Sequence, residues 1–115
     1  MLKLTLHAAP FECTEKGEEL VELREDNEWI RSRLYCAQED RIRHYDYIEY
    51  YNAGSFSTSC PMIRVKFVSA WWYDGLISLG PFDNGFAVTC AGGIWMICQA
   101  EVVYSRHKIH CLKLK

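Results

Sequence analysis

The sequence predicts an α+β domain made mostly of strands, with two short helices and a small mixed or antiparallel sheet able to curl into a barrel. Three observations carry this expectation. Apolar and polar residues alternate with period two at Leu2–Leu4–Leu6, at Ile63–Val65–Phe67 and at His110–Leu112–Leu114. Helix punctuation occurs twice, as Pro10 followed by Gly17 and as the Asp26–Asn27 pair. Strand-favouring aromatics crowd the segment Tyr45 to Tyr51. With 115 residues, half of them hydrophobic and 24% charged, residues 1–115 suit a single core that needs neither metal nor disulfide.

Taken in order, Leu2, Leu4 and Leu6 form the inner face of a first strand. Pro10 suits a helix's first turn and Gly17 the position past its end, predicting a helix over 10–16. A strand follows at 20–25, with Val21 and Leu23 on one face and Glu22 and Arg24 on the other. Asp26 or Asn27 caps a second helix, on which Ile30 and Leu34 share one face and Trp29 and Arg33 an adjacent one, fraying near 36–39. After the aromatic strand, Asn52–Ser55 reads as a turn and the polar run to Pro61 as a loop.

The alternation at Ile63–Phe67 gives the clearest strand, with basic Arg64 and Lys66 outward. Trp71–Trp72–Tyr73 then ends in Asp74–Gly75. With Gly80–Pro81 and Asp83–Asn84–Gly85, this predicts a glycine-punctuated excursion over 69–93, either a loop closing over a site or a crossover covering the core. Strands at 94–104 and 110–114 complete the chain.

Charge and motifs narrow the chemistry. A net charge of -2 does not mark a nucleic-acid binder, but acids crowd the first quarter and Arg31, Arg33, Arg41, Arg43, Arg64 and Lys66 follow. The N-terminus lacks the apolar run of a signal peptide, and no stretch is long enough to span a bilayer, so the expectation is a cytoplasmic protein with no membrane partner. The six cysteines are scattered with no Cys-x-x-Cys pair, which reads as reduced, mostly buried thiols. His107 and His110 lie three apart, on opposite faces of a strand, and could share a zinc ion only if the segment were helical or bent. No phosphate-binding or dinucleotide glycine pattern and no Gly-x-Ser-x-Gly elbow occurs, so neither a metal nor a cofactor is expected. A reactive cysteine needs a neighbouring base, which only the fold can supply, from His7 or His44.

The strand-turn-helix at 17–34 resembles the ASCH domain family of PUA-like β-barrels, whose motif is glycine, any residue, then Lys-Thr-x-Glu-x-Arg. Gly17, Glu22 and Arg24 match it, while Glu19 stands at the lysine and Leu20 at the threonine. Trp29 with Arg33–Leu34, Tyr45–Asp46, Asn52, and Pro61 followed by Val65 are similar to a phage or prophage-like branch, covering about residues 1–70.

The resemblance implies a mixed barrel with a cleft beside the two helices, and a cytoplasmic protein that binds RNA or a nucleotide-like ligand. The binding residues implied are Glu22, Arg24, Trp29, Arg33, Tyr45, Asn52 and Lys66. Arg24, Arg33 and Lys66 would meet phosphate, Trp29 or Tyr45 would stack on a base, and Glu22 would read a base edge or orient Arg24. Some relatives are similar to amidohydrolases or ribonucleases. The missing lysine and threonine count against that amidohydrolase mechanism and leave Glu22 with Lys66, or a histidine, as the catalytic candidates. A third reading is a phage-type interaction module that docks a protein partner through Trp71 and Trp72.

Overall fold

The computed structural model describes residues 1–52 and 60–106. Most of the turn and loop expected between Asn52 and Pro61, the strand expected at 110–114, and His107 and His110 therefore lie outside the described residues. The chain is α+β. Its elements are β1 (Leu2–Thr5), α1 (Ala8–Glu15), β2 (Val21–Glu25), α2 (Glu28–Leu34), β3 (Tyr35–Cys36), β4 (Arg41–Ile42), β5 (Tyr47–Tyr51), β6 (Met62–Leu79) and β7 (Val88–Arg106). Five strands form one sheet in the order β1-β5-β6-β7-β2, in which β1 and β5 run parallel and the other neighbours antiparallel.

The segment 69–93 is not an irregular excursion. It belongs to a long hairpin of β6 and β7, paired continuously from Ser69–Cys98 to Leu79–Val88. Gly75, which reads as a breaker, and Gly93 sit inside these strands, with aromatic rings lying over them. A Cβ on Gly75 would stand 2.5 Å from the ring of Tyr73, and one on Gly93 would stand 3.0 Å from the ring of Trp72. The rings replace the missing side-chain packing, so strand-favouring aromatics carry the ladder past Asp74–Gly75. The turn itself is confined to 80–87, where Gly80 and Gly85 take positive φ.

Both helices follow local chemistry, with shifted ends. α1 begins at Ala8, two residues before Pro10, because a proline in the first turn costs no hydrogen bond. It stops at Gly17, whose φ of 77° lets Glu18 return its amide to the Cys13 carbonyl at 2.9 Å. Asn27, not Asp26, caps α2, accepting from the Ile30 amide at 2.9 Å. Where fraying was expected, the chain instead forms the two-residue strands β3 and β4, turned through Asp40 at φ 48°.

The main core gathers Leu4, Ile30, Leu34, Ile48, Tyr50, Ile63 and Ile97 between the helices and the sheet. A smaller cluster of Leu23, Cys90 and Ile94, flanked by Ile77 and Val88, lies under the hairpin arm. Register shifts between Arg64 and Ser69 mark where the β6–β7 ladder is irregular, the kind of feature that increases bend and twist. Among the described residues no ladder joins β1 to β2, so the sheet is open rather than a closed barrel. No described helix is long and apolar enough to cross a membrane.

Candidate functional site

β2 inverts the usual logic of an amphipathic strand. Glu22 and Arg24 stand opposite Ile97 and Trp95, so the charged pair shares the main-core side of the sheet, while Leu23 covers the smaller cluster. A buried carboxylate must be compensated. Arg24 does this, donating from Nε to Glu22 Oε2 at 2.7 Å and from Nη2 to the Thr5 carbonyl at 2.7 Å. Thr5 ends β1 and Arg24 lies on β2, the two edges of the open sheet. One side chain therefore spans the gap that a ladder leaves open.

A second acid lies behind this pair. Glu19 is buried, at 3% exposure, although sequence alone made it a charge-inverting substitute for a lysine. Burial first, and then its hydrogen bond to Glu22, raises its carboxyl to about 9. At neutral pH Glu19 is therefore protonated and donates to Glu22, and it brings no second negative charge. Its Oε2 has no partner among the described residues. Gln99 holds the segment in place, with Nε2 donating to the Glu19 carbonyl at 3.0 Å and Oε1 accepting from Tyr50 at 2.5 Å. Burial pushes the Tyr50 phenol well above its ordinary range.

Beside the bridge opens a cleft of about 470 Å3, lined by Thr5, His7, Glu22, Arg24 and Asn52, with Phe86 on its wall. Phe86 arrives from the hairpin tip, which Asn84 fastens to α1. Asn84 Nδ2 donates to the Ala9 carbonyl at 3.0 Å, and its Oδ1 accepts from the Phe86 amide at 2.9 Å and from the Cys13 thiol at 3.3 Å. Burial raises the Cys13 thiol, with the nearby acids adding to the effect, so it is a poor nucleophile.

Two further hollows adjoin it through shared side chains. Arg24 also borders a second hollow of about 390 Å3, which includes Asn27 and Trp29. Trp29 in turn borders a third, of about 220 Å3, with Lys3, Arg33 and Tyr45. Arg33 lies over the Trp29 ring, 4.8 Å from its centroid, and Tyr45 Oη donates to the Arg33 carbonyl. Burial raises the Tyr45 phenol. Six of the seven expected binding residues thus lie along one track. Lys66 does not: it pairs with Glu101 at 3.3 Å and lines none of these three hollows.

Sequence reasoning did not foresee the buried Glu19, His7 as a wall of the cleft, or Phe86 reaching it from the hairpin tip. The only local signal for His7 was its place just before the helix that Pro10 marks. Asp26 also serves a different purpose from a cap. It accepts from Arg31 Nη2 at 2.7 Å and from Trp95 Nε1 at 3.0 Å, and the Arg31 contact leads in holding its carboxyl below the usual range. Among the described residues no three His, Cys, Asp or Glu side chains gather as a metal site. Comparison with known protein families, with curated proteins and with solved structures finds no match in any of the three.

Proposed function

We propose that this chain is an ASCH-like domain with a PUA-like curl, closed at its gap by a side chain, and that it binds a nucleobase, free or within single-stranded RNA. The observation that carries the reading is the Arg24 bridge, which fixes Glu22 at the mouth of a cleft it shares with Asn52. The cleft has the size of a small-ligand site. Its Glu22 carboxylate accepts from a base N–H, the Asn52 amide offers both a donor and an acceptor, and Phe86 offers a face for stacking.

Charge sets the orientation of the ligand. Glu22 and Arg24 cancel and Glu19 is neutral, so the deep cleft favours an uncharged heterocycle over a phosphate. Arg24 also holds two internal acceptors, so its first task is architectural rather than phosphate binding. Phosphates belong farther along the track, beside Arg33 and Lys3, with Trp29 or Tyr45 stacking on a neighbouring base. A hydrolase reading keeps Glu22 with His7 in the same cleft, and Lys66 takes no part in it.

Titration with free nucleosides and with short single-stranded RNA, by filter binding at two salt concentrations, tests the proposal. Arg24→Ala and Trp29→Ala should each weaken RNA binding tenfold or more, with salt affecting RNA more than nucleosides. Binding that neither substitution alters overturns it, and cleavage of labelled RNA that Glu22→Gln abolishes would favour the hydrolase.

A further inference from the structure

The hairpin arm carries a feature that the cleft does not use. β5 pairs with β6 only over Met62–Lys66, and Phe67 adds one bond from its amide to the Asp46 carbonyl. From Val68 to Leu79 the outer edge of β6 has no strand partner among the described residues. Edges of this length are usually guarded by lysine, proline or a bulge. Here the only charge from Val68 to Leu79 is Asp74, there is no proline, and the register shifts stop before Ala70. The large side chains along it are open to solvent: Val68 is 53% exposed, Trp71 62%, Trp72 52%, Tyr73 47% and Leu76 68%.

These five residues are arranged symmetrically about Trp72. When two antiparallel edges meet on a two-fold axis at that residue, Trp72 faces its own copy, Trp71 faces Tyr73, and Val68 faces Leu76. The lone Asp74 faces Ala70, so no carboxylate meets another. Every exposed large apolar residue of the edge then opposes another of the set, with aromatic against aromatic and aliphatic against aliphatic. The exposed parts of these side chains come to on the order of 500 Å2 per copy before backbone is counted, of which edge pairing covers the flanks that face the partner, against about 800 Å2 per partner in a standard interface. We infer that the chain forms an antiparallel two-fold dimer through the β6 edge, joining the two sheets into one, with a second copy of itself as the occupant.

Sedimentation of the intact chain over a hundredfold concentration range tests this, with hydrogen exchange of the 68–79 amides recorded at both ends. The expected result is a concentration-dependent dimer in which the outward-facing amides, those of alternate residues, gain protection. Leu76→Lys alone should weaken dimerisation tenfold or more. Adding Val68→Glu to it should restore the dimer, because the register sets these two positions face to face. A chain that stays monomeric throughout overturns the inference. So does a dimer that Leu76→Lys leaves intact, or one that the paired substitution fails to restore while circular dichroism shows the fold retained.

Discussion

Arg24 on one edge of the sheet donates to the carbonyl of Thr5 on the other edge, at 2.7 Å, while its Nε holds the carboxylate of Glu22. The same side chain therefore compensates a buried charge and fastens two strands that share no ladder. Architecture and candidate site depend on it together.

Arg24→Ala leaves Glu22 buried without its cation. Removing one partner of a buried pair is costly, and the quarter exposure of the Arg24 side chain moderates the loss, so about 2 kcal/mol of stability should disappear. Urea denaturation measures it. Arg24→Lys should recover only part, because one ammonium does not reproduce two fixed guanidinium bonds.

Glu19 makes stability depend on pH in a definite direction. Unfolded, its carboxyl ionises near the ordinary 4.5, whereas folded it keeps its proton up to about 9. The unfolded state therefore binds fewer protons in that window, and this contribution to stability falls as pH rises through it, by at most about 1.4 kcal/mol per unit. Glu19→Gln keeps a donor toward Glu22 and removes the titration. Its stability relative to the native sequence should rise steadily from pH 5 to pH 9 in parallel urea titrations.

Asn84→Ala removes three hydrogen bonds between the hairpin tip, α1 and Phe86. A loss of about 1 kcal/mol is expected, since two of the three bonds are exposed and water replaces part of what they supply. Limited proteolysis should show cleavage within 80–87 before the rest of the chain is cut.

Lys66→Ala should change neither the melting temperature nor RNA binding. Its only ion pair in the described chain is with an exposed Glu101, and it lies away from the cleft track. Side-by-side thermal melts and filter binding of the two proteins check this.

Much of the fold was legible because its cause is local. The periods of Leu2–Leu6 and Ile63–Phe67, the cap at Asn27 and the stop at Gly17 are short-range chemistry, and the strands and helices fall where these place them. The β6–β7 arm was illegible because Tyr73 and Trp72 covering Gly75 and Gly93 is a contact, not a composition. The ends of α1, the small hairpin after α2 and the open sheet likewise depend on what the chain meets in three dimensions. In the candidate site, the spacing of Glu22 and Arg24 announced a shared face. Nothing local said that this face was the inner one, or that burial beside Glu22 would keep the proton on Glu19. Nor did anything local announce that Lys66 pairs with Glu101, which lies in a strand thirty-five positions away.

The four tryptophans divide three to one: Trp29, Trp71 and Trp72 are open to water, and Trp95 is sealed with its indole N–H on Asp26. The protein thus carries its own optical instrument. Acrylamide should extinguish most of the emission at once, leaving a blue-shifted remainder from Trp95 that reports on the core alone. Of the accessible fraction, Trp29 reports from the groove and the other two from the β6 edge, so the proposed ligand and the inferred dimer would each dim separate indoles.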